Sequence, residues 1–159
     1  MKNDPLRIRA VEALPDQRLH LTFEDGWQAD VALSDWIEHT TLFKPLHDAT
    51  LFAQARLGDW GTSVVWVEDE IDMGADNLRN LAVEQAGGIG HERLIHWLHD
   101  NQLTQTQGAQ AIGVSRRMLS YYLSGAKPIP KTVWLACLGW VAQGAAVRAA
   151  DDERFALAA

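Results

Sequence analysis

L-T-Q-T-Q-G-A-Q-A-I-G-V-S-R-R-M-L-S-Y-Y-L-S-G-A-K-P-I-P-K, residues 103–131, is the stretch on which the reading of this chain turns. Thr104 is placed to cap a helix, because a threonine hydroxyl accepts a bond from a free N–H of the first turn. Ala109 and Ile112 then fall on one face. Gly113 stands where a left-handed cap would end that helix, and Ser115 can cap a second one directly after it. In this second helix Leu119, Tyr122 and Leu123 occupy i, i+3 and i+4 and face inward together. Arg116, Ser120 and Ser124 form an outer row at i, i+4 and i+8, with Arg117 and Tyr121 beside it. Gly125, Pro128 and Pro130 stop the helix.

Two short helices joined by a tight glycine turn make a helix-turn-helix, whose second helix enters the DNA major groove with its N-terminal side chains at base edges. Leu103, Gln105, Ala109, Ile112, Gly113, Val114, Ser115, Leu119, Tyr122 and Gly125 carry a resemblance of residues 91–142 to the lambda repressor and Xre-like family. The resemblance implies an all-α domain that binds double-stranded DNA. It departs at Gly108, where the family usually has a bulky apolar residue. Glycine costs a helix about 1 kcal/mol against alanine and leaves less side chain for a core. On this reading Arg116 and Arg117 meet base edges, and Ser115, Ser120 and Tyr121 share the recognition surface. Gln105 and Ser124 act as positioning groups toward phosphate or base, and Lys127 and Lys131 touch phosphate.

The charge is distributed to match. The whole chain carries −7, but residues 1–90 hold 7 Lys/Arg against 16 Asp/Glu, and residues 91–159 hold 7 against 5. Residues 101–131 contain Arg116, Arg117, Lys127 and Lys131 and no acid, so the basic patch coincides with the helix-turn-helix, where phosphate contacts are needed. An apolar share of 47% with 22% charged residues is that of an ordinary globular chain of 159 residues. The single cysteine, Cys137, cannot form an intrachain disulfide and reads as a small buried hydrophobe, so the cytoplasm is the expected location. M-K-N-D-P-L-R has no apolar signal core, and the run Val133 to Ala142 is too short to span a bilayer, so no membrane role is expected.

Residues 1–67 read as strands. Leu6 to Ala13 is a first strand, closed by a turn at Leu14-Pro15-Asp16-Gln17. Arg18 to Phe23 alternates, with Leu19, Leu21 and Phe23 on one face; Glu24-Asp25-Gly26 turns, and Trp27, Ala29 and Val31 continue the alternation on the way back. Ser34 to Glu38 is a short helical turn capped by Ser34, and Thr40 to Thr50 is irregular. Phe52 to Leu57 and Thr62 to Val67 form a second hairpin around Gly58-Asp59. A helix follows from Ala75 to Ala86 with Leu78, Leu81 and Ala82 inward, and a short glycine linker runs from Gly87 to Gly90. R-L-H-L-T-F-E-D-G-W, Leu46, Phe52 and V-V-W-V-E-D-E-I-D-M-G-A-D-N-L resemble a family of small bacterial α+β domains of unassigned function. Its members often lie beside helix-turn-helix modules or in suspected toxin–antitoxin pairs. That resemblance supplies a fold and no chemistry.

Other side chains are weighed against chemistry and read as structural. Glu68, Asp69, Glu70, Asp72 and Asp76 lack the loop spacing of a calcium site and suit a solvated turn followed by a helix N-terminus. Glu92, His96 and His99 share a face of the helix Gly90 to Gln102 at metal-gripping spacing, yet its histidines, His91 included, read as the outer face of a core helix. His39 and His47 pair with nothing identifiable. Trp134, Leu138 and Val141 read as the inner stripe of the helix after Pro130, with Trp140 off it and free for a contact between domains or subunits. The tail after Ala142 is expected to be partly helical.

These residues predict an α+β chain: an antiparallel-sheet α+β domain over residues 1–87, then an all-α helix-turn-helix domain over 88–159. The expected function is sequence-specific DNA-binding transcriptional regulation by a homodimer, with no catalytic residue, cofactor or metal. The N-terminal domain would serve partner binding, sensing or dimerisation. The alternative is an antitoxin-like protein whose N-terminal domain grips another protein. The short linker around Gly87 to Gly90 would hold the acidic turn Glu68–Asp72 close enough to compete with DNA for Arg116, Arg117, Lys127 or Lys131, while the first expectation is that these acids keep the protein soluble and repel non-specific DNA.

Overall fold

The computed structural model describes residues 3–158; Met1, Lys2 and Ala159, at the ends of the N-terminal stretch and the tail, lie outside it. Strands β1 (Ile8–Leu14), β2 (Arg18–Phe23) and β3 (Gln28–Ala32) form one antiparallel sheet in the order β1-β2-β3. The strict alternation of β2 sets its register: Leu21 lies between Val11 and Ala29, and Leu19 between Ala13 and Val31. Leu19, Leu21 and Phe23 are consequently all fully buried. Gly26 takes a positive φ of 89° in the β2–β3 turn, as the Asp-Gly pair requires.

Five details of this half depart from the sequence reading. Helix α1 (Ser34–His39) does begin at Ser34, but the cap position falls on buried Leu33 and no side chain caps it. Residues 40–50, expected to be irregular, form a 3₁₀ turn at Thr41–His47 that buries Phe43 and Leu46, and then enter α2 (Ala49–Phe52), capped by Asp48. Phe52 therefore ends a helix instead of opening a strand, and its carbonyl accepts the indole N–H of buried Trp66 at 3.1 Å. The second sheet is consequently short on that side: β4 is only Arg56–Leu57, beside β5 (Ser63–Val67) and β6 (Ile71–Gly74). Strand β6 was hidden by its acidic surroundings; Ile71 and Met73 alternate into the core while Asp72 faces out.

Helix α3 (Ala75–Gln85) lays Leu78 and Ala82 onto the same core as the two sheets. After it the chain turns at Gly87 and enters α4 (His91–Asp100), α5 (Gln105–Ile112), α6 (Arg116–Leu123), α7 (Lys131–Ala142) and α8 (Ala145–Ala158). A second core gathers Leu94, Trp97, Leu98, Ala109, Leu119, Tyr122, Ile129, Val133 and Cys137. The protein is thus mixed α+β, with antiparallel sheets first and a helical region after them.

The junction is clamped rather than loose. Gly90 supplies no capping side chain for α4, so α3 does it from outside: Glu84 accepts the Gly90 N–H at 2.9 Å and Asn80 accepts the Glu92 N–H at 3.0 Å. Arg93 returns to the Glu84 carboxylate, and the Glu92 carboxylate accepts from Asn77 at 2.8 Å. Four unsatisfied N–H groups at a helix start need partners, and here two come from the neighbouring half. These bonds fix the start of α4 against α3, and the acidic turn has its own cation, since Arg56 pairs with Glu68 at 2.8 Å.

The tail helices also correct the sequence reading. The inner face of α7 is Val133 and Cys137, with Trp134 and Trp140 partly buried beside them, whereas Leu135, Leu138 and Val141 are exposed. Trp140 is not spare: it meets Trp97 edge to face at 5.6 Å, and the Arg148 guanidinium lies 4.0 Å from its ring, tying α8 to α7. Position 141 therefore sits on the turned-out side of a helix whose buried residues run i, i+4 from Val133.

Candidate nucleic-acid interface

The two helices α5 and α6 are built as their residues dictate. Thr104 accepts the Gln107 N–H while the Gln107 side chain accepts the Thr104 N–H, at 3.1 and 3.0 Å, a reciprocal capping box. Gly113 ends α5 in the left-handed region at φ 75°, where a side chain would be strained. Ser115 Oγ then accepts the Met118 N–H at 3.1 Å and starts α6. Gly108, the departure noted above, fits the packing, since a larger residue there would require the Leu98 side chain to shift. A Cβ there would fall 2.3 Å from Leu98 Cδ2 and 3.3 Å from the Trp97 ring. The bulk that α5 lacks is supplied by α4, and this is why Gly108 is buried.

Each candidate contact residue can now be placed. Arg116 and Ser120 are exposed on one side of α6 and make no hydrogen bond with another described side chain. Arg117 is not free in the same sense: its Nε donates to Tyr121 Oη at 2.8 Å and its guanidinium lies 5.6 Å from that ring. The Lys127 ammonium lies 4.9 Å from the centre of the same ring, and its backbone N–H donates to the Tyr121 carbonyl. Arg117, Tyr121 and Lys127 thus form one stacked unit, a grouping that i, i+4 spacing signals for the first pair and only the loop after α6 reveals for the third. Ser124 donates its hydroxyl to the Tyr121 carbonyl at 3.2 Å, so its donor is already committed. Ser115 uses its oxygen as the cap and keeps its O–H. Gln105 is exposed at the first position of α5, and Lys131 is exposed at the first position of α7. Arg116, Arg117 and Lys131 therefore stand in the first turns of α6 and α7, where backbone N–H groups also favour anions, and Lys127 stands in the loop between those helices.

Burial raises the Cys137 thiol to about 11, which makes it inert at neutral pH. His91, expected on the outer face of α4, is buried, and burial lowers its pKa; His96 and His99 do face solvent. His47 lies 3.5 Å from Glu38 and His39 bonds to the Asp35 carbonyl, so both have local partners. Among the described residues no three His, Cys, Asp or Glu side chains gather in a way that would hold a metal ion, and no helix is long and apolar enough to cross a membrane.

With this geometry in hand, known proteins can be compared. Over 86% of its length the chain is similar to a protein of known crystal structure from Nitrosomonas europaea ATCC 19718, covering 87% of that chain with 42% identity and a TM-score of 0.80. The two chains belong to one family. The relative bears the name "Putative DNA Binding Protein NE0471". Residues 8–84 match a family model described as "Protein of unknown function (DUF2442)", which spans both sheets and most of α3. No curated protein matches the chain. The family thus includes a member named for DNA binding, and the N-terminal half carries a domain to which no function is assigned.

Proposed function

We propose that the protein is a non-enzymatic, sequence-specific DNA-binding regulator of the lambda repressor type, reading the major groove with α6. The observation that carries this reading is the outer face of α6. A Ser115-capped helix, set off by a left-handed Gly113, presents Arg116, Arg117 and Ser120 to solvent within a stretch that holds four cations and no acid. The name of the Nitrosomonas relative supports DNA as the partner. In this reading Arg116 and Arg117 reach base edges, while Gln105, Ser115, Lys127 and Lys131 contact phosphate. Tyr121 orients Arg117, and Ser124 braces Tyr121.

A second copy completes the site, because one helix-turn-helix covers half an operator and dimers bind half-sites about one helical turn apart. Leu135, Leu138 and Val141 on the outer side of α7, with Phe155 of α8, are the exposed apolar surface that supports such a contact. Enrichment of duplexes from a random pool by the full chain, followed by affinity measurement over a range of salt, tests the function. A preferred sequence, with log affinity falling by about 0.9 per phosphate contact against log salt, is expected. Recovery of a random pool with no preference would overturn it.

A second role, protein capture by the N-terminal domain as in antitoxin-like proteins, is favoured by Trp60. This side chain is 82% exposed on the β4–β5 connection, with a left-handed φ of 60°. Large aromatic anchors of this kind recur at protein interfaces. The same domain would then hold the partner while α6 holds DNA.

A further inference from the structure

A cavity of about 460 Å³ lies where the two halves meet. Sites for small molecules are typically clefts of about 300–1,000 Å³, and they favour domain interfaces. Its walls include Trp27 from the turn just before β3, Arg79 from α3, His91 from α4, Tyr122 from α6, and Lys127 and Ile129 from the loop before α7. Both cores and the DNA-facing loop therefore contribute to one space.

The chemistry of the wall is specific. The Arg79 guanidinium is spent: it donates twice to Asp25, at 3.1 and 2.9 Å, and lies 4.7 and 4.4 Å from the rings of Phe23 and Trp27. The stack fixes Trp27 as a flat, charge-balanced wall. Asp25 and Arg79 cancel each other, which leaves Lys127 as the cation lining the cavity that has no anionic partner among the described residues. The His91 imidazole likewise has no hydrogen-bond partner among the described residues, and burial favours its neutral form, which offers one N–H and one lone pair. An apolar, aromatic-walled space with one unpaired ammonium and one neutral hydrogen-bonding ring complements a planar apolar body bearing a single negative charge.

We propose that this cavity binds a small aromatic carboxylate, its ring against Trp27 and its carboxylate on Lys127, and that occupancy withdraws Lys127 from DNA. The first clause stands on the cavity alone; the second rests on the DNA-binding function proposed above. Because Lys127 also stacks on Tyr121, a carboxylate that draws the ammonium inward removes one phosphate contact and one support of the Arg117–Tyr121 unit.

The test uses the full chain, labelled with ¹⁵N, with the Trp27 indole N–H resonance assigned by Trp27→Phe. It is titrated with indole-3-acetate, phenylacetate and salicylate, and with tryptophol as the uncharged counterpart of indole-3-acetate. At least one carboxylate should move the Trp27 resonance saturably. Tryptophol, and indole-3-acetate on Lys127→Gln, should bind about tenfold more weakly, as loss of a charge-assisted bond implies. Ala86→Trp, which places an indole in the cavity from the exposed residue at the end of α3, should abolish the shift. The site is overturned if no carboxylate moves Trp27, if tryptophol binds as well as indole-3-acetate, or if Ala86→Trp leaves the shift intact. In a second arm, a saturating carboxylate should weaken DNA binding about 3- to 10-fold in the wild type and leave Ala86→Trp unaffected, in keeping with a coupling of about 1 kcal/mol. DNA binding that ignores the carboxylate overturns the coupling alone. Absence of any DNA binding overturns the proposed function, while the resonance titration still decides the site.

Discussion

Replacing Tyr121 with phenylalanine removes one oxygen and isolates one link in the recognition face. The ring stays, so Lys127 keeps its stacking partner at 4.9 Å, and only the 2.8 Å bond from Arg117 Nε is lost. That bond leaves both terminal nitrogens of Arg117 free for a base while holding the guanidinium in place. A bidentate Arg–guanine pair discriminates by about 1–3 kcal/mol, so Arg117→Ala should weaken the preferred duplex by about 5- to 150-fold. Tyr121→Phe should cost only the ordering of the Arg117 side chain, about 0.5–1.5 kcal/mol, or about 2- to 10-fold. Arg116 has no such brace, so Tyr121→Phe should leave the Arg116→Ala effect unchanged. Once Arg117 is alanine, by contrast, Tyr121→Phe should do nothing further, and the two effects should be strongly non-additive. Fluorescence anisotropy on the enriched duplex and on a scrambled one, at one fixed salt concentration, reads all the variants. Additive losses from Arg117→Ala and Tyr121→Phe would refute the orienting role of Tyr121. Full sequence preference in the Arg116→Ala, Arg117→Ala double variant would remove α6 from the groove altogether.

Three further outcomes are expected. Lys131→Ala should weaken preferred and scrambled duplexes alike and reduce the salt slope by about 1, whereas a sequence-dependent loss would make Lys131 a base contact. Leu138→Glu, at a 48% exposed position of the outer α7 stripe, should convert a dimer to a monomer in sedimentation at tens of micromolar; a wild-type monomer under those conditions would sink the α7 contact. Burial of His91 lowers its folded pKa below the ordinary histidine value of 6.5, so the unfolded chain takes up the proton first. The associated stability is full above pH 6.5 and is lost as pH falls through the folded-state value. His20 acts in the opposite sense, because its hydrogen bond to Asp30 raises its pKa, giving stability that is present below 6.5 and lost as pH rises through the folded value. Urea unfolding at about pH 7.5 and about pH 5.5 should therefore show a smaller acid-side loss in His91→Gln than in the wild type, and equal losses would show that His91 does not titrate there.

The local signals in the sequence were sufficient where a short segment decides its own conformation. The Thr104 and Ser115 caps, the Gly113 stop and the Asp-Gly turn each depend on residues within a few positions, and all four form as read. The alternation of Leu19, Leu21 and Phe23 set the register of the first sheet for the same reason. What depended on partners far along the chain was not legible. Strand β6 holds one acid within an acidic run and becomes a strand by pairing with β5, and Phe52 ends a helix capped by Asp48, with its carbonyl accepting the Trp66 indole N–H. Leu138 and Val141 read as core residues by helical spacing, yet the packing of α7 into the second core, chiefly against α5, buries Val133 and Cys137 instead. Gly108 looked like a defect in α5 until Leu98 and Trp97 were seen to fill its space. The contacts that hold the short linker are not legible either, because the sequence of α4 contains no cap for its own start; the caps are Glu84 and Asn80, held by α3. In the same way no spacing along the chain joins Asp25 to Arg79, or either to Lys127. Capping and alternation are fixed by neighbours in sequence, whereas the clamp, the shared cavity and the exposed face of α7 exist only once the two cores have packed against each other.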